Sequence, residues 1–224
     1  MHSKESVILL HGLFHGRCHM RKLDAYLTRE GYEVLNIGYP ARKWSLEELA
    51  RRVYQQTELY FTQEAPLHFV GYSMGGLLVR AILNQYRPAC LGRVVQLAAP
   101  NKGSEVADFV KNSWLFKTLC GPAGQQLITN PEATQHLFGP IDYELGGIAG
   151  NRSRSPISSR IINEENDGKV SVESTRVEGM KEHLIIKATH TGVPFNKHVH
   201  RHTHHFLKHG TFQQQKEPVL QESH

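Results

Sequence analysis

Six short apolar runs punctuate the chain, at residues 7–10, 34–37, 67–70, 93–97, 143–149 and 183–189, each bounded by glycine, proline or polar residues. Runs of this length that are rich in Val, Ile and Leu predict strands buried on both faces. Helical spacing fills the intervals. Met20, Leu23, Tyr26 and Leu27 predict a helix over 18–29 that Gly31 stops, and Ser45 with Glu48 forms a capping-box signature ahead of a helix over 46–61. An apolar helical pattern follows Gly75 without a break, and a last helix is expected over 197–208, ending before Gly210. Strand and helix alternate, so parallel pairing through right-handed crossovers is the natural topology. The expected fold class is therefore α/β, a doubly wound and mostly parallel six-stranded sheet with helices on both faces.

One interval is looser. Over 104–141 the apolar positions Val106, Phe109, Val110, Trp114, Leu115, Phe116 and Leu119 suggest one or two amphipathic helices, broken at Gly121-Pro122 and near Pro131. This segment is expected to be a crossover helix with loops, a lid-like pocket wall, or both. Residues 1–212 are read as a single α/β domain, and the polar, aperiodic stretch 213–224 as a disordered tail. No internal repeat is present.

The third strand runs directly into Gly71-Tyr72-Ser73-Met74-Gly75 and then into helix. A serine between two such glycines at a strand-to-helix turn is presented at the apex of a strained bend, where side chains two residues either side would collide. In a chain with 19 glycines the pentapeptide alone is weak, but its strand-to-helix context makes Ser73 the candidate nucleophile. A serine needs a base to take its proton and an acid to orient that base. In an open α/β sheet these sit beyond the carboxyl ends of strands, which selects His190, directly after the last strand, and Asp167, in a glycine-containing turn before it. Asp142, Glu164 and Glu165 remain rivals for the acid. The first strand ends in His11-Gly12-Leu13-Phe14-His15-Gly16, which lacks the G-x-G-x-x-G spacing of a dinucleotide site and suits an oxyanion loop instead. The backbone N–H groups of Leu13 and Met74 are the expected oxyanion donors.

Composition narrows the setting. At 224 residues, with 39% hydrophobic and 21% charged positions, the chain describes one ordinary globular domain. Only four consecutive apolar residues precede His11 near the N-terminus, too few for the core of a signal peptide, and no stretch approaches the ~20 of a membrane span. Cys18, Cys90 and Cys120 are widely spaced and odd in number, which points to reduced thiols and a cytoplasmic setting. The net charge of +5 is spread along the chain without a nucleic-acid motif, and the densest basic stretch, Arg152, Arg154 and Arg160, reads as a solvated loop. Six histidines, His198, His200, His202, His204, His205 and His209, crowd the last helix. Pairs four apart share a helix face, but no acidic residue lies among them to complete a metal site, and the serine chemistry needs none.

Taken together, VILLHGL, GYSMGG, LAAPNKGS, NDGKVSVES and ATHTG resemble the α/β-hydrolase superfamily, in particular small bacterial lipases and esterases, and LAAPNKGS is similar to a block in GPI inositol-deacylase-like proteins. The order Ser73, Asp167, His190 agrees with that resemblance. The chain departs from it by starting at the strand usually counted third, and by carrying Asn101 where the lipase block commonly has His. The resemblance implies hydrolysis of a carboxylic ester or thioester through an acyl-enzyme, without cofactor, on a small ester or lipid-like substrate. The alternatives are acyl transfer by the same residues, or a non-catalytic binding protein on a hydrolase scaffold.

Overall fold

The hydrophobic pattern becomes a sheet with a core on each face. The computed structural model describes residues 4–62, 64–103, 114–126, 135–154, 162 and 164–213. Its strands are β1 (Ser6–Leu10), β2 (Glu33–Ile37), β3 (Leu67–Tyr72), β4 (Leu91–Leu97), β5 (Leu145–Gly150) and β6 (Glu182–Ile186). They lie in the order β2-β1-β3-β4-β5-β6, and all five pairings are parallel. Because side chains alternate along a strand, Ile8 and Leu10 of β1 join one core while Val7 and Leu9 join the other. The sequence reading of a six-stranded, doubly wound α/β sheet holds.

Helices α1 (Arg21–Arg29), α2 (Leu46–Phe61), α3 (Met74–Gln85), α4 (Trp114–Gln125) and α5 (Lys197–His209) supply the outer layers. Leu23 and Leu27 of α1 and Val199, Phe206 and Leu207 of α5 pack on one face of the sheet. The other face is covered by α2, through Leu46, Leu49, Ala50 and Val53, and by the largely buried α3. On α2 the spacing of three, four and seven residues is the apolar stripe of an amphipathic helix. Its N-terminus carries half of the expected capping box. The Ser45 hydroxyl accepts from the Glu48 amide at 3.5 Å, but the Glu48 carboxylate turns to Arg51 and Arg52 instead of back to the cap. Two cations within a helical turn outcompete one backbone donor. They also hold the Glu48 carboxyl down to about 2.

Of the segment expected to wall a pocket, 104–113 and 127–134 lie outside the described residues, as does the tail from 214. The described part is α4, which breaks at Gly121 (φ 64), where a Cβ would fall 1.8 Å from the Arg42 carbonyl oxygen. On either side of the break Cys120 and Ala123 join the core that contains Leu13 and Ala41, and Ala123 N–H donates to Trp44 O at 3.2 Å. The three cysteines are free, and among the described residues no helix is long and apolar enough to cross a membrane.

The β3–α3 turn tolerates no side chain where its glycines sit. A Cβ on Gly75 would lie 2.4 Å from the Leu10 carbonyl oxygen, whereas one on Gly16 would meet nothing within 4 Å. Gly75→Ala should therefore lower stability by about 3 kcal/mol, and Gly16→Ala by no more than about 0.5 kcal/mol, in urea unfolding. Equal midpoints for the two variants would contradict this account of the turn.

Candidate active site

Between the last residue of β3 and the first of α3 stands a single residue, Ser73, at φ 55 and ψ −126. A side-chain-bearing residue in this region is strained by roughly 1–3 kcal/mol, and the surroundings hold it there. Its amide donates to Leu97 O at the end of β4 (2.8 Å), and its carbonyl accepts from Gly76 N–H (2.9 Å). The preceding Tyr72 is wholly buried, and its hydroxyl donates to His190 O at 3.1 Å.

The structure brings the three residues selected from the sequence into one line. His190 Nε2 lies 3.0 Å from Ser73 Oγ, and His190 Nδ1 lies 2.7 Å from Asp167 Oδ2. The other carboxylate oxygen of Asp167 accepts from the amides of Lys169 and Val170, each at 2.9 Å, and His190 N–H donates to Asp167 O at 2.9 Å. Asp167 and His190 are buried, with side chains only 1% and 6% exposed. With Nδ1–H donating to the carboxylate, the tautomer assigned by this network turns the Nε2 lone pair toward the serine. The rival acids are elsewhere. Asp142 pairs with Arg87 at 2.7 Å, Glu165 accepts from Asn151 at 2.8 Å, and Glu164 is exposed.

The loop after β1 presses against the same serine. A Cβ on Gly12 would come within 3.1 Å of Ser73 Cβ, so the main chain of 12–13 runs directly beside the nucleophile. Among the described residues neither the Leu13 nor the Met74 amide has an acceptor, which leaves both as donors for an oxyanion. The sequence reading gave His11 no task of its own. Its ring is buried, stacks on Tyr39 at 4.1 Å, and has Nδ1 2.8 Å from Gly12 O, while the Tyr39 hydroxyl donates to His11 O. Burial holds the imidazole below its ordinary pKa. His11 and Tyr39 thus brace the loop from behind. The signal available in the sequence was the pairing of His11 with a tyrosine just past the second strand, two elements that neighbour each other in any parallel sheet of this order.

Around Tyr72 further imidazoles gather. The rings of His15 and His19 lie 3.9 Å apart, tilted to one another, and 5.5 and 5.1 Å from the Tyr72 ring. Burial, reinforced by neighbouring cationic groups, pushes both down to about 4. On the oxyanion-loop side a cavity of about 650 Å³ opens, walled by Leu13, Phe14, His15, Tyr39, Ala41 and Arg42. The histidines of α5 divide between helix faces. His200 and His202 are buried, the first beside Pro194 O at 2.8 Å, and His205 Nδ1 lies 2.7 Å from Thr211 O. Among the described residues no three His, Cys, Asp or Glu side chains converge as metal ligands would.

A family model described as palmitoyl protein thioesterase matches residues 6–143, which run from β1 through the serine turn to the start of β5. The chain belongs to the palmitoyl protein thioesterase family. This family member shares its fold with many solved structures. The mature lipase BlEst2 of Bacillus licheniformis is 19% identical, with a TM-score of 0.72 over 95% of this chain and 94% of that one. The metagenomic carboxyl esterase MGS0156 is 20% identical, with a TM-score of 0.71 over 86% and 66% of the two chains. A bromoperoxidase from Bacillus anthracis is 15% identical, with a TM-score of 0.62 over 92% of each chain. Curated protein sequences yield no match. The fold is that of the α/β-hydrolases, and the family is one of lipase, esterase and thioesterase type hydrolases.

Two outcomes follow from the geometry. Ser73→Gly should melt higher than Ser73→Ala, because glycine alone relieves the positive φ. The gain is about 1 kcal/mol after the added chain entropy of glycine, and identical melting temperatures would mean no strain is stored there. His15 and His19 have folded pKa values near 4, below the unfolded value of about 6.5. The unfolded chain therefore binds more protons between these values, and stability falls as pH drops from 6.5 toward 4. The urea midpoint should decrease between pH 7 and pH 5, and decrease less in His19→Phe.

Proposed function

We propose that this thioesterase-family protein is a serine hydrolase that cleaves carboxylic esters through an acyl-enzyme. The observation that carries the reading is the continuous relay Asp167–His190–Ser73, with gaps of 2.7 and 3.0 Å and the serine held at a positive φ. His190 takes the Ser73 proton as Oγ attacks the acyl carbon. The oxygen that gains charge is received by the Leu13 and Met74 N–H groups, donors that need no reorganisation and are worth on the order of 3 kcal/mol each. Collapse of the tetrahedral species breaks the bond to the leaving group, and His190 returns the proton to it. Water, deprotonated by His190, then attacks the acyl-serine. The acid leaves, and Oγ recovers its proton. Asp167, buried and saturated with donors, keeps the imidazole in the productive tautomer throughout.

A second reading is favoured by the family match itself, whose description names a thioester substrate. The same relay serves a thioester without change, because a thiolate leaves more readily than an alkoxide.

Turnover of p-nitrophenyl esters and of the matching acyl thioesters, over a range of acyl lengths, tests both readings. Ser73→Ala and His190→Ala should lose about 1000-fold or more in kcat, and Asp167→Asn about 10⁴-fold with its fold intact. A fluorophosphonate probe should label wild type and not Ser73→Ala. Wild-type rates in folded Ser73→Ala would sink the mechanism, and the ratio of ester to thioester turnover decides between the substrates.

A further inference from the structure

Two concavities open beside the turns that carry the site, one against the loop after β1 and one against the turn after β6. The one on the oxyanion-loop side is described above. The other, of about 280 Å³, begins at the residues flanking His190 and is lined by Arg152, Arg154, Lys187, Thr189, Gly192 and Phe195 among others. Among the described residues that line it, three are cations and none is an acid. All three cations are exposed, and among the described residues none of them is engaged in an ion pair. Glu165, on the neighbouring turn, is already occupied by Asn151 at 2.8 Å.

The arrangement is built by main chain rather than by free loops. Asn151 N–H donates to Ile186 O (3.1 Å) and Arg152 N–H to Ala188 O (3.0 Å), which extends the β5–β6 ladder past the ends of both strands. Gly150 lets the two chains meet this closely, since a Cβ there would lie 2.5 Å from Ala188 O. Arg152 and Lys187 are thereby delivered from adjacent strand ends, and Arg154 follows where its amide passes near Gly168. From the sequence, Arg152 and Arg154 read as a solvated basic loop. The structure adds Lys187, 33 positions away, and the wall beside the candidate base.

Like charges held together repel unless an anion accompanies them, and a cleft lined by one sign concentrates anionic substrates. Guanidinium groups suit phosphate oxygens through paired N–H donors. The volume falls below the ~300–1,000 Å³ of pockets for drug-sized molecules and suits a single charged group. Its side of the serine is also informative. A base that hands its proton to the leaving group has that group pass along its own side, so the cavity flanking His190 faces the alcohol or thiol part of the substrate and not the acyl chain.

We propose that Arg152, Arg154 and Lys187 form an anion subsite that binds a phosphate carried on the alcohol or thiol portion of the acyl substrate. The proposal rests on the hydrolase reading above. The phosphate belongs either to a soluble phosphorylated thiol or alcohol, or to a lipid headgroup. The chemistry recognised is the same.

The test compares octanoyl-coenzyme A with octanoyl-N-acetylcysteamine, the same thioester without phosphate, and adds 1-octanoyl-lysophosphatidate in mixed vesicles. Wild type should prefer the phosphate-bearing substrates through KM, and 0.5 M NaCl should erase the preference. In Arg152→Ala/Arg154→Ala/Lys187→Ala the ratio of kcat/KM on phosphate-bearing to phosphate-free thioester should fall about 30-fold. The single charge reversal Arg154→Glu should lower it as well. A preference for the coenzyme A thioester or for the lysophosphatidate identifies the source. An unchanged ratio overturns the subsite, as does a parallel loss on both thioesters. Binding of adenosine 3′,5′-bisphosphate to Ser73→Ala, measured by calorimetry, separates the two levels of the argument. Binding that the triple variant loses, with no wild-type turnover of any ester, supports the subsite and overturns the hydrolase reading. No binding in either background overturns the subsite.

Discussion

The approach of β3 to α3 at Ser73 is the contact on which the site depends. At Gly71 and Gly75 a Cβ would fall 2.4 to 2.5 Å from main-chain atoms, so main chain packs on main chain with nothing between. Only with that distance can one residue turn a strand into a helix, and only there does the serine stand proud of the sheet. The Gly75 contact is made with the carbonyl oxygens of Leu10 and His11. One close approach therefore sets the serine and also the origin of the loop that runs beside it. Ser73 and the loop after β1 share a single reference point.

The remaining parts arrive from the other half of the sheet. The candidate acid and base, Asp167 and His190, come from turns after β5 and β6, and two links join them to the serine. One is the imidazole bridge, and the other is the bond from the Tyr72 hydroxyl to His190 O. Tyr72 is the residue before Ser73, so the second link ties the His190 turn to the strained bend without passing through the imidazole. His15 and His19 pack around the same phenol and stay neutral through burial, which keeps the surroundings of Tyr72 from adding charge to the site.

Much of this was legible in the residues because it depends on local pattern. Apolar runs became the six strands with shifts of a few residues at their ends, as at β4, which starts at Leu91 because that residue pairs with Leu67. The serine, its base and its acid were selected by position after strands, which topology dictates. Features that depend on distant neighbours were not legible. Glu48 turned from the helix cap because Arg51 and Arg52 stood within reach, and His11 found its work against Tyr39, 28 positions away. The histidines of α5 form a similar case. Whether each faces water or core is set by Val199, Thr203, Phe206 and Leu207 turning inward, which carries His200 and His202 with them. A count of histidines cannot reveal that division.

Among the described residues the sheet order places β6 at an edge, with β5 as its neighbouring strand, while β3 lies in the interior between β1 and β4. Edge strands open at lower free energy than central ones. The base hangs from the end of that edge strand and is doubly bonded to Asp167, through main chain and ring. Warming should then detach acid and base together from a serine that remains poised on the intact centre. Heat inactivation would precede the collapse of the fold, and on cooling the pair would return already assembled.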